Sequence, residues 1–245
     1  MIRKLGWLAA GGFAVGIVAF SLAAALGAHE LEGWNLRWLH LLSAVSSCHD
    51  DDDAKIDPTA TDRRWAWDGG DSVEIAAPAT VHYRGGSGDQ VIAHGSPEAI
   101  AHLRVNNGRI TQSCNGRWAR GDLDITLPGR AFRTVDMAGS GRLIMQDVNQ
   151  PRLDLSIAGS GSVQAQGSTD RVNLSIAGAG DAKLAELTTK RLDVQIAGSG
   201  NIEAAPQDEL NVKIAGSGDV RLLSNPPQVH TNIHGSGRVI RAAGQ

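Results

Sequence analysis

"NLSIAGAGDAKL", residues 173–184, decides the fold, because nearly the same phrase returns as "DLSIAGSGSVQA" (154–165), "DVQIAGSGNIEA" (193–204) and "NVKIAGSGDVRL" (211–222). Each copy alternates apolar and polar residues, breaks at Gly-x-Gly, then alternates again. Alternation with period two marks a strand with one face in and one face out. The first glycines of the Gly-x-Gly units are Gly139, Gly159, Gly178, Gly198, Gly216 and Gly235, at intervals of 20, 19, 20, 18 and 19 residues. A near-constant period of this length means stacked structural coils.

The apolar set before the glycines is Leu153, Leu155, Ile157; Val172, Leu174, Ile176; Leu192, Val194, Ile196; and Leu210, Val212, Ile214. After them Val163 and Ala165, Ala182 and Leu184, Ile202 and Ala204, and Val220 and Leu222 point inward by the same rule. Each unit therefore reads as strand, tight corner, strand, loop. One such unit cannot bury its own face, but coils stacked about 4.8 Å apart close a continuous aliphatic core. The expected architecture is all-β: a parallel β-helix, or β-solenoid, of ~19-residue Gly-Ser-Gly repeats. The paired glycines (Gly139 and Gly141, Gly159 and Gly161, Gly178 and Gly180, Gly198 and Gly200, Gly216 and Gly218, Gly235 and Gly237) are read as structural turn residues. Between them Ser140, Ser160, Ala179, Ser199, Ser217 and Ser236 are small, so that corners can stack. Outward columns fit the register, since like charges stacked on neighbouring strands repel. One column runs Gln164, Lys183, Glu203, Arg221 and another Asp154, Asn173, Asp193, Asn211.

Outward from the repeat, residues 71–130 carry short alternating runs such as "SVEIAAPATVHYR", "DQVIAHG" and "DLDITLPG", an Asn-Asn-Gly turn, and one short helix at "PEAIAHL". They read as an N-terminal β cap on the solenoid of 131–245. Residues 29–70 form a connector, with an amphipathic "WNLRWLHLL" (34–42) suited either to a membrane surface or to packing on the domain, and an acidic "DDDD" (50–53) linker. Residues 1–28 begin with Arg3 and Lys4, followed by 22 uncharged residues from Leu5 to Leu26. As a helix these span about 33 Å, enough for a bilayer core of about 30 Å. The run reads as one uncleaved transmembrane helix, with a cleaved signal ending near Ala28 as the alternative. The remainder is expected in the periplasm, or secreted or at the cell surface. Cys48 and Cys114 form a possible disulfide in such an oxidising compartment.

The chemical readings of Gly-Ser-Gly fail one by one. A nucleophile elbow needs Gly-x-Ser-x-Gly. A dinucleotide loop must open a helix, but here another strand follows. Calcium-binding β-rolls repeat every nine residues rather than nineteen. His230 and His234 sit four apart in a strand pattern, which does not bring them to one metal. Asp154 and Asp193 lie two coils apart, about 9.6 Å, beyond a retaining pair of carboxylates and at the far limit of an inverting one. No aromatic residue follows Phe132 to stack on a sugar ring, and a net charge of −3 offers no excess of cations for nucleic acid. No catalytic, cofactor-binding or metal-ligating residue is assigned, and no cofactor is expected.

The "W-x-W-D-G-G-D-S-V-E-I" stretch from Trp65, the "D-L-D-I-T-L-P-G" strand from Asp122 and the six Gly-x-Gly units together resemble the bacterial head GIN domain family, the "putative autotransporter adhesin" heads. The likeness covers roughly 65–245. It implies an exported β-solenoid without established catalytic residues. The seven residues after Arg238 leave no room for a membrane β-barrel, so delivery by a translocator of its own is not expected. The functional expectation is a non-enzymatic, adhesin-like envelope protein whose solenoid presents a binding or structural surface. Its expected partners are the membrane, through the N-terminal helix, and an envelope protein or polysaccharide. The alternative is a polysaccharide-active β-helix enzyme, a lyase or hydrolase.

Overall fold

The computed structural model describes residues 59–112 and 122–241. Leu5–Leu26, the Trp34–Leu42 segment, the 50–53 acidic run, Cys48 and Cys114 all fall outside the described residues.

The repeat units become long bent strands: β9 (Arg142–Gly159), β10 (Ser162–Gly178), β11 (Asp181–Gly198) and β12 (Ile202–Gly216). Each leaves a Gly-x-Gly corner, bends once, and returns to the next corner one strand spacing higher. The shorter β8 (Thr134–Gly139) begins this series, and β13 (Asp219–Leu222), β14 (Gln228–Gly235) and β15 (Arg238–Arg241) end it. All neighbours in the stack pair in parallel, so that Ile157, Ile176, Ile196 and Ile214 stand in one column, and Val163 and Ala182 in another. From Gly139 to Gly235 the chain makes five full turns. The twelve apolar residues assigned to the return arms of the four central coils, Leu153 to Ile214, are each no more than 2% exposed. Burying one such side chain contributes about 1.5–3 kcal/mol, and the period-two pattern exists to collect that term from every coil.

The second bend is built differently in each coil. Asp147 (φ 55°) turns one, Gly167 (φ 128°) the next. Beyond the bend a side chain steadies the chain: half-buried Gln150 Nε2 donates to the Arg152 carbonyl at 2.9 Å, buried Thr169 Oγ1 to that of Arg171 at 3.3 Å, and buried Thr189 Oγ1 to that of Arg191 at 3.0 Å.

The stack continues below the glycine repeat. β2 (Ser72–Ala76) lies parallel to β8, with Val73 opposite Val135, and β3 (Thr80–Arg84) lies parallel to β9, with Val81 opposite Leu143. "SVEIAAPATVHYR" is thus a coil whose corner is Ala77-Pro78-Ala79 instead of Gly-x-Gly. Residues 85–112 and 122–131 cover the end of the stack. They form β4 (Gln90–Gly95), the short helix α1 (Pro97–Ala101), β5 (Leu103–Asn106), β6 (Arg109–Gln112) and β7 (Leu123–Thr126). Ser96 caps α1, accepting from the Ala99 N–H, and Asn107 (φ 49°) with Gly108 (φ 76°) turns the β5–β6 hairpin. β1 (Asp62–Ala66) lies within the 29–70 stretch and pairs antiparallel with β4, which pairs antiparallel with β7. Antiparallel strands end a parallel stack because they do not offer the next coil a matching edge. Phe132 fills the junction, edge-on to Trp67 at 5.3 Å and to Tyr83 at 5.6 Å.

Candidate binding groove

At every corner the first glycine has a positive φ: 99° at Gly139, 124° at Gly159, 125° at Gly178, 137° at Gly198, 136° at Gly216 and 130° at Gly235. A β-carbon at Gly198 would also stand 2.1 Å from the Gly178 carbonyl oxygen. The second glycines are needed for space instead. A β-carbon at Gly200 would lie 2.3 Å from the Gly180 oxygen and 2.9 Å from Ile176 Cγ2. From Ser160 onward the N–H of each middle residue donates to the carbonyl of the corner below, as from Ser199 to Gly178 at 2.8 Å. The middle side chains Ser140, Ser160, Ala179, Ser199, Ser217 and Ser236 are left exposed in a row along one edge.

Beside this row, over the arms that leave the corners, lies an open groove of about 830 Å³. Its floor is the outward face of β3, β9, β10 and β11, with Thr80, Arg142, Ser162 and Asp181 forming one column. Ile144, Gln164 and Lys183 form the next. Ser140 and Ser160 line one side, and Asp122 and Asp124 enter from β7 and the residue before it. β7 reaches the groove because Asp124 pairs in register with Thr80, at the foot of the column. Hydroxyls, an amide and charges of both signs therefore share one concave surface.

The charges differ in how they are held. Asp181 accepts from both the backbone N–H (3.1 Å) and the Nδ2 (3.2 Å) of Asn201, and Asp124 lies 3.6 Å from His82 Nε2. Arg142 and Lys183 have no ion-pair partner among the described residues. Asp122 and Asp124, two residues apart in sequence, enter the groove about 7 Å from each other, whereas Asp124 and Asp181, four strand spacings apart at about 19 Å, do not meet across it. Nor does an aromatic ring line it. Beyond β7, His94 Nδ1 meets Asp62 Oδ1 at 2.8 Å, and that contact is the foremost reason why the Asp62 carboxyl sits below its ordinary range. Among the described residues no group of three metal-binding side chains converges. His230 and His234 share the outward face of β14, two strand periods apart, about 13 Å.

The glycine corners were open to sequence reasoning; the groove was not. Its wall comes from β7, and nothing local in "DLDIT" says which coil it will meet.

Residues 114–226 match the family described as "Putative auto-transporter adhesin, head GIN domain". Over these residues the chain is similar to a head GIN domain. Two crystal structures share the fold. A "putative adhesin" from Bacteroides fragilis is 14% identical with a TM-score of 0.57, the match covering 74% of this chain and 96% of that one. A "putative lipid binding protein" from Parabacteroides distasonis is 18% identical with a TM-score of 0.51, over the same 74% and 96%. No curated protein matches the chain. The family and these two neighbours carry adhesin or lipid-binding names, and none is named as an enzyme.

Proposed function

We propose that this domain is a non-enzymatic binding module of the cell envelope, carried outside the inner membrane on its N-terminal segment. We further propose that the groove takes a hydroxyl-rich ligand such as an envelope polysaccharide. The observation that supports this reading is a polar groove in which two cations, Arg142 and Lys183, stand without ion-pair partners among the described residues, beside a row of hydroxyls. Such groups can donate to sugar oxygens without rearranging the fold. The adhesin names of the family and of one neighbour agree with a binding role. The test is binding of the full chain, in neutral detergent, to purified envelope polysaccharides. The Arg142→Gln/Lys183→Gln double variant should weaken binding about tenfold, the loss of one or two charge-assisted hydrogen bonds. Unchanged binding in a folded variant overturns the groove reading.

A cleaving enzyme has one observation in its favour, the entry of Asp122 and Asp124 into the groove. Incubation with the same polysaccharides, followed by an assay for new chain ends, separates the two. Cleavage abolished by Asp124→Asn would replace the binding reading.

A further inference from the structure

The return arms carry a column that breaks the rule kept by its neighbours. Arg152, Arg171 and Arg191 are in direct parallel register on β9, β10 and β11. Their α-carbons are therefore about 4.8 Å apart from one coil to the next. Like charges facing one another on adjacent strands destabilise a sheet. Two other outward columns avoid this, alternating Lys183, Glu203 and Arg221, or Asp154, Asn173, Asp193 and Asn211, while in a third Glu74 faces Asp136. A place where a stable stack gives up its own pairing rule is where a function is to be sought.

The arginines are also held in a particular way. Arg152 meets both oxygens of Asp154 through Nε, at 3.0 Å each, and Arg191 approaches Glu209 through Nε at 3.3 Å. The terminal Nη groups of both remain without partners among the described residues. The middle one, Arg171, is half-buried and has no acid bonded to it among the described residues. Asn173 occupies the place that Asp154 has beside Arg152, and the Asn173 amide is spent on Asp154. Asp170, the acid next in sequence, is taken by Lys190 at 2.8 Å. Behind the column, Gln150, Thr169 and Thr189 each clamp the carbonyl of the arginine two residues on. The backbone is thus pinned while the guanidinium ends stay open.

We infer that Arg152, Arg171 and Arg191 form an anion ladder for an extended acidic polysaccharide that runs across the coils with one carboxylate per sugar. Guanidinium forks pair with carboxylates through two parallel N–H donors, and one strand spacing is comparable with the length of one sugar ring. The ladder lies on the return arms and the groove on the outgoing arms, so the inference stands apart from the groove reading.

The test uses the full chain in neutral detergent and polygalacturonate as the probe, with its methyl-esterified form and vesicles containing phosphatidylglycerol as comparisons. Polygalacturonate should bind, the esterified polymer should not, and added salt should weaken the complex. Arg171→Gln should lower affinity about tenfold while leaving the thermal melt unchanged or raising it, because a repulsive stack is relieved. Arg171→Lys should recover only part of the affinity, having charge without the fork. The ladder is overturned if the esterified polymer binds equally, if vesicles bind and polygalacturonate does not, or if folded Arg171→Gln binds as the parent does. A lowered melt with unchanged binding would make the column purely structural and overturn it as well.

Discussion

Gly198 and Ser199 are neighbours at one corner with opposite tolerance. Gly198 has a φ that side chains rarely adopt and no room for a β-carbon, whereas the middle position already accepts alanine at residue 179. Gly198→Ala should therefore cost about 2–3 kcal/mol, and Ser160→Ala almost nothing. Ile176→Ala, in a filled column, should cost about 2–5 kcal/mol. Thermal melts of the three variants rank them, and a damaging Ser160→Ala would mean that the corners do more than turn. A second residue-scale expectation concerns Tyr83, which is 3% exposed and the sole tyrosine of the chain. Burial raises its pKa above the ordinary 10.0, so the folded state favours the neutral phenol. The stability it lends is fully present below about pH 10 and is lost as pH rises through the raised folded value. Tyrosinate absorbance should titrate late in the native protein, and Tyr83→Phe should flatten the alkaline loss of stability. An ordinary titration would show that the phenol is open to solvent.

Single strands and columns show where sequence reasoning succeeded and where it could not. The return arms were legible because one face is wholly buried, which imposes an apolar residue at every second position, as at Leu192, Val194 and Ile196. The second bends were not, because they use Asp147 in one coil and Gly167 in the next, and share no residue type. The coil of β2 and β3 escaped notice for a related reason: Ala77-Pro78-Ala79 turns the same corner without glycine. The Asp–Asn column was legible as a pattern, and the structure supplies its bonds. Asn173 Nδ2 donates to Asp154, and Asn211 Nδ2 donates to Asp193 at 2.8 Å. Asn173→Asp would remove one such donor and set three carboxylates in succession. It should lower stability by about 1 kcal/mol or more at neutral pH and low salt, with part recovered in high salt. Chemical denaturation at two ionic strengths measures this, and a salt-independent effect would argue that charge is not the cause.

Across the whole described domain the two ends differ. At the lower end β6 and β7 still pair in parallel with β2 and β3, and β5 and β4 then add antiparallel strands, with β1 beyond β4; at the upper end β14 pairs with β12 and β15 with β13, each on one side only. Amide hydrogen exchange should follow this asymmetry, slowest in β10 and β11 and fastest in β14 and β15, because backbone groups without a strand above them open most easily. Uniform protection would indicate that something covers β14. Between the ends, every coil presents the same edges to its neighbours, Gly159 meeting Gly178 as Gly178 meets Gly198. A duplicated coil would thus find both of its contacts ready-made. The reach of the molecule is then an adjustable ruler, graduated in increments of about 4.8 Å, which gene duplication can lengthen without redesigning either end.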